Sequence, residues 1–132
     1  MKHLWLIPML LLAASAQASE AVVQAQITQY KQQGSGAADP TRGMAKWNEQ
    51  HMQAKIGKMV SCSSCHGNDL TQAGEHLRTG KRIDPMAPSV NPDRLSDPAK
   101  IEKWFGRNCE WTLGRDCTAQ EKADFLAFIQ SK

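Results

Sequence analysis

Cys62-Ser63-Ser64-Cys65-His66 places two thiols three residues apart, directly before an imidazole. Thiols at that spacing can add to the two vinyl groups of a haem while the next residue turns its ring onto the iron. Three other readings compete: a thioredoxin-type redox pair, half of a zinc site, or a chance run. A redox pair belongs with an alternating strand and helix pattern that this sequence lacks, and zinc needs two further ligands of suitable type and spacing. Covalent haem c is the expectation, with Cys62 and Cys65 as anchors and His66 as proximal ligand.

The opposite face of the iron then decides the chemistry, because a strong sixth ligand makes an electron carrier and a weak or absent one makes a binding site. Met86, in a proline-bounded loop after the motif, is of the usual type for small electron-transfer cytochromes, although core packing is the commoner fate of methionine. Met44, Met52 and Met59 precede the motif, where helix packing explains each better. His51 and His76 can also reach an iron, but a lone histidine is usually a surface residue. On local physics alone Asn108 is a helix C-terminal cap, since Asn tolerates the left-handed backbone found there. Beside it, Cys109 and Cys117 flank the segment EWTLGRD. An oxidising compartment favours their union, and closing a loop of about nine residues is worth roughly 2.5 kcal/mol. Lys81, Arg82 and Arg94 are assigned to solvent rather than to the site.

The elements that must position these groups are helical. Ser19 is expected to cap a helix with Val23, Ile27 and Tyr30 on one face and Gly34 as its stop, followed by a flexible link over Gln33 to Asp39. Pro40-Thr41 opens a second helix, with Met44, Trp47 and His51 or Met52 on its inner stripe, ending near Lys55 to Gly57. Asp84-Pro85 and Asn91-Pro92 exclude a long regular element after the cysteines, so an extended loop is expected there. Asp97-Pro98 caps a third helix, which should bury Ile101, Trp104 and Phe105 and stop around Gly106 to Asn108. Thr118-Ala119-Gln120-Glu121 has the capping-box pattern, and Phe125, Leu126, Phe128 and Ile129 form the apolar face of a last helix that should cross the one carrying Trp47. No alternating pattern or repeat competes, so the class is all-α.

Lys2 and His3 precede an apolar run from Leu4 to Ala14, and Ala16-Gln17-Ala18 presents small residues where a signal peptidase reads them. Residues 1–18 are expected to be a removed leader, 19–39 an N-terminal helix and link, and 40–132 one cytochrome domain. The run is too short to span a bilayer, so the exported chain should be soluble and lack a membrane span. With a formal net charge of +3 for all 132 residues, the chain lacks the concentrated positive field that nucleic-acid binding requires.

The run CSSCHG, then TGKRIDPMAPSVNPDRLSD, then KIEKWFGRNCEWTLGRDCTAQEKADFLAFI resembles the sphaeroides haem protein (SHP) family, oxygen-binding class I c-type cytochromes. The similarity covers roughly Ser61 to Ile129, and its most specific parts are the RNC triplet, LGRDCT and the TGK to APS loop. It implies a class I cytochrome c fold in the periplasm and one covalent haem. It further implies that Asn108 is the displaceable sixth ligand, leaving when ferrous iron binds a diatomic gas (O2, NO or CO). The family's nearby disulfide falls on Cys109 and Cys117, and Met86 becomes a packing residue. A dihaem cytochrome c as electron donor, with oxygen reduction or nitric oxide dioxygenation as reactions, is also implied. The rival readings are a plain electron carrier with Met86 as permanent sixth ligand and, more remotely, a CxxC module without haem. The stretches Ser19 to Asp39 and His51 to Ser61 depart from the family pattern.

Overall fold

The computed structural model describes residues 12–132, with side chains from residue 18 onward. The leader assigned to residues 1–18 therefore lies largely outside the described residues. The described residues form five helices: α1 (Leu12–Gln32), α2 (Pro40–Asn48), α3 (Cys62–His66), α4 (Pro98–Leu113) and α5 (Ala119–Gln130). Two short antiparallel hairpins complete it, β1 (His51–Gln53) with β2 (Lys58–Val60) and β3 (Gly74–Glu75) with β4 (Arg82–Ile83).

Capping chemistry sets most of the helix starts. Asp39 and Asp97 each accept two backbone N–H groups of the following turn, and each is followed by a proline whose fixed φ suits the first helical position. At α5 the capping box is complete: Thr118 accepts from the Glu121 backbone, and Glu121 accepts in return from Thr118.

Several expected boundaries move. Ser19 is not a cap; α1 begins earlier and Ser19 is a buried interior residue, because nothing between Leu12 and Ser19 interrupts a helix. The second helix stops at Asn48 rather than near Lys55, and the residues beyond it pair as a hairpin with Met52 opposite Met59. Three-residue strands are too short to show an alternating pattern. On α2 the inward residues are Gly43 and Trp47, while Met44 is exposed. Helix α4 runs through Gly106 and Asn108 to Leu113 and ends at Gly114 in the left-handed region (φ 71°). A single helical glycine costs only about 1 kcal/mol, and the inward spacing Ile101, Phe105, Cys109, Thr112 continues past it. Asn108 is thus in mid-helix rather than a cap, and Trp104 remains 46% exposed instead of buried.

Helices α2 and α5 cross at close range. A Cβ on Gly43 would sit 2.1 Å from the Asp124 carbonyl oxygen and 2.8 Å from Phe128 Cβ, so the backbones approach as only glycine permits. One turn later Trp47 packs its ring 5.7 Å from Phe128 and 6.3 Å from Phe125. The expected crossing of these helices is thus present.

The core has two parts. Trp47, Leu70, Ala87, Cys109, Cys117, Phe125, Phe128 and Ile129 surround the crossing. Val23, Ile27 and Tyr30 of α1 pack with Ile101, Ala123 and Leu126. Leu95 and Phe105 border both. Polar seams close the edges: buried Asp124 accepts from Arg42 Nε at 2.9 Å and from the Asp39 backbone at 2.8 Å. Tyr30 donates its hydroxyl proton to Glu102, which also pairs with Lys122 at 2.8 Å.

Gly43→Ala should destabilise the protein by at least ~2 kcal/mol, since the clash is with backbone that cannot move aside. Gly106→Ala, which meets nothing within 4 Å, should instead stabilise by about 0.5–1 kcal/mol. Denaturant titration of both variants checks the pair.

Acid stability should follow Glu121. Arg115, donating through two nitrogens at 2.8 and 2.9 Å, holds its carboxyl down at about 2, below the ordinary 4.5. The folded state therefore binds fewer protons here than the unfolded chain, so this stabilisation is complete above about pH 4.5 and is lost as pH falls toward 2. Melting temperatures measured across that range should fall less steeply for Glu121→Gln than for the natural chain.

Candidate haem site

Helix α3 is a single turn held at both ends. The backbone N–H of buried Ser61 donates to Ser64 Oγ at 2.9 Å at its start. At its end Gly67 adopts φ 74°, donates to the Ser63 carbonyl at 2.8 Å, and offers its own carbonyl to Trp47 Nε1 at 3.0 Å. The helix crossing therefore fixes the haem motif directly, through an indole. Gly74 backs the same turn: a Cβ there would fall 2.1 Å from the Cys65 carbonyl.

One helical turn places Cys62, Cys65 and His66 on adjoining positions of one side. Cys62 packs against the first core cluster, and burial pushes its thiol up to about 12. A redox-active CxxC needs a thiol that ionises easily, which the burial of Cys62 opposes. Among the described residues no group of three His, Cys, Asp or Glu side chains is placed to hold a metal ion.

His66 lies with its ring 5.3 Å from Trp47. Burial, reinforced by the charge of Arg94, pushes its pKa down to about 4, so the imidazole is neutral at ordinary pH. Its Nδ1 is buried without a hydrogen-bond partner. A neutral imidazole in an apolar setting is what iron takes as a proximal ligand, and half-buried Met86, Leu95, Phe105 and Leu113 border the same core. These residues fit a covalently anchored haem.

The remaining candidates occupy distinct positions. Asn108 falls on the inward arc of α4, within about 60° of Ile101, Phe105 and Thr112 on a 3.6-residue wheel, yet it is exposed, and among the described residues its side chain makes no hydrogen bond. The sulfurs of Cys109 and Cys117 stand at disulfide distance, Cα to Cα 5.5 Å, tying α4 to the start of α5. Met86 is half-buried against the core, in a loop whose Pro85 carbonyl accepts from Asn91 Nδ2 and Arg94 Nε, both at 3.0 Å. His76 Nδ1 accepts from the backbone N–H groups of Arg78 and Thr79, and His51 Nε2 lies 3.7 Å from Glu49. Met44, Met52 and Met59 are exposed.

Arg94 is the neighbour that sequence reasoning left in solvent. It is half-buried, donates to the carbonyls of Asp84 and Pro85, and places its charge near His66. Its partners are carbonyls, which carry no residue-type signal.

Known proteins resemble this arrangement. Residues 33–129 match the family described as a domain of unknown function, DUF1924. Cytochrome c-type protein SHP of Cereibacter sphaeroides is 44% identical over 121 residues, covering 92% of each chain. This chain belongs to the SHP family of cytochromes c. The structure of oxidised SHP, an oxygen-binding cytochrome c, superposes with a TM-score of 0.76 at 44% identity, covering 83% of this chain and 96% of that one. Oxidised cytochrome c'' from Methylophilus methylotrophus superposes at 0.74 with 33% identity, covering 86% and 94%. As an SHP-family cytochrome the protein has the helical class I cytochrome c fold and carries covalently bound haem c.

Replacing Cys62 and Cys65 together by alanine should leave no haem that survives denaturation, as read by haem staining of a denaturing gel. The double variant should also lose cooperative melting, because a haem supplies a large share of the apolar interior in so small a domain.

Proposed function

We propose that this SHP-family cytochrome is a periplasmic diatomic-gas-binding protein, with Cys62 and Cys65 anchoring the haem, His66 as proximal ligand and Asn108 as a displaceable distal ligand. The haem supplies a ferrous iron able to bind O2, NO or CO. The carrying observation is the placement of Asn108: an inward position on a rigid helix, exposed, with no side-chain hydrogen bond to hold it elsewhere among the described residues.

A carboxamide is a weak neutral ligand that an incoming gas displaces at small cost, whereas a thioether or second imidazole competes. A Cys109–Cys117 bond next to it would hold that part of α4 against α5, so Asn108 leaves by side-chain movement rather than by unwinding of the helix. Met86, half-buried against the core and directly after Pro85, whose carbonyl Arg94 holds, is a packing residue in this reading. Export is supported by the leader-like residues 1–18 and by the pairing of the two sulfurs; no helix among the described residues is long and apolar enough to cross a membrane. Family resemblance supplies the rest of the proposal: reduction by a dihaem cytochrome c, with turnover as oxygen reduction or nitric oxide dioxygenation.

Met86→Leu should leave the ferric and ferrous visible spectra nearly unchanged. Asn108→Ala should alter the ferric spin state and raise the rate of CO binding. A sulfur-to-iron charge-transfer band that disappears in Met86→Leu would instead make the protein an electron carrier with a fixed Met86 ligand.

A further inference from the structure

Helix α4 carries a second face. On a 3.6-residue wheel Lys103, Arg107, Lys100, Trp111 and Trp104 fall within one arc of about 100°, adjoining the arc of Asn108. Trp104 is 46% exposed, with Lys103 Nζ 5.7 Å and Arg107 Cζ 5.5 Å from its ring centre. Lys100, Lys103 and Arg107 are all exposed.

Among the described residues the cations on this face are unpaired, as are several elsewhere such as Lys58 and Lys81; what sets the face apart is the exposed indole between them. Arg42, Lys46, Arg115 and Lys122 each meet a carboxylate at 2.8 or 2.9 Å. Among the described residues Lys100, Lys103 and Arg107 meet none within ion-pair distance. The acidic residues of α4 leave the stripe uncompensated: Glu102 is engaged by Tyr30 and Lys122, and Glu110 forms no ion pair with Arg107. An exposed indole flanked by arginine and lysine has the composition of an interface centre, where Trp and Arg supply most of the binding energy.

We propose that this face docks an acidic protein, the one-electron donor of the haem; the donor role rests on the functional reading above. Carboxylates on the partner would neutralise Lys100, Lys103 and Arg107 and its apolar surface would cover Trp104. The docked donor loses one electron and ferric haem gains it, with no bond made or broken. Trp104 lies one helical turn from Asn108, so the partner seats against the helix that bears the proposed distal ligand. Three cations on one helix face suit a complementary acidic surface; a bilayer would require an apolar face able to insert, and this face offers one exposed indole with Lys103 and Arg107 beside it.

The test uses ferric holoprotein and a reduced acidic dihaem cytochrome c, mixed in stopped flow over a range of ionic strength, with dithionite as a control reductant. Lys100→Glu/Lys103→Glu/Arg107→Glu should slow reduction by the cytochrome about tenfold at low salt and flatten its salt dependence. Dithionite reduction and the CO spectrum should be unchanged. Lys100→Glu/Lys103→Glu, which keeps Arg107 beside Asn108, should show a smaller loss in the same direction. Unchanged rates and salt dependence in both variants would overturn the proposal. So would failure of the cytochrome to reduce the natural chain, while the CO spectrum of the same sample judges the gas-binding reading separately. Loss of binding to phosphatidylserine-containing vesicles in the variants, with donor kinetics intact, would assign the face to lipid and overturn it as well.

Discussion

The close approach of α2 and α5 at Gly43 is the constraint on which the site depends. With only a hydrogen at that position, the α2 backbone settles onto the Asp124 carbonyl. That sets the depth at which Trp47 enters the core one turn later. Trp47 then does three things at once: it fills the space between Phe125 and Phe128, lies against the His66 ring, and donates its indole proton to the carbonyl that ends α3. Moving the crossing would shift the indole and carry the haem-binding turn with it. The site is therefore positioned by a helix contact remote in sequence, rather than by the CxxCH turn itself.

Around this apolar contact the charged groups act as locators. Asp124, almost fully buried, is shared by Arg42, the Asp39 backbone and Gln120. Glu121 is shared by Arg115 and the Thr118 backbone, and Glu102 by Tyr30, Gln26 and Lys122. A buried carboxylate is costly unless several donors meet it, so the Asp124 and Glu121 positions favour one packing of their neighbours, while partly exposed Glu102 is held by its three donors. Burial, reinforced by the Glu102 carboxylate, lifts the Tyr30 hydroxyl pKa well above its ordinary value. Together the three carboxylates fix α1, α2 and α4 against α5 in a way that apolar contacts, being non-directional, do not.

What the sequence made legible was local chemistry. Pro40-Thr41, Asp97-Pro98 and Thr118 with Glu121 each announced a helix start, because such a signal needs only its own few residues, although the Asp39 cap itself falls in the stretch expected to be a link. The CxxCH run announced haem for the same reason. Positions decided by distant partners were not legible. Gly106 looked like a stop, but packing on both sides of it carries α4 onward and moves Asn108 from a helix end to its middle. Trp104 was placed inside by its spacing of three from Ile101, yet Ile101 and Phe105 hold the inner face. Ser19 looked like a cap because capping residues also occur within helices. Arg94 looked solvated because its partners are backbone carbonyls.

The two-part interior, joined where Leu95 and Phe105 border both clusters, has an evolutionary consequence. Helix α1 forms an outer layer whose apolar contacts are with Ile101, Ala123 and Leu126, not with the cysteine-bearing turn. Lengthening, replacing or fusing that layer to another module would test mainly one cluster, leaving the surroundings of the cysteine-bearing turn to diverge on their own. A scaffold divided in this way allows tethering and ligand chemistry to be selected independently.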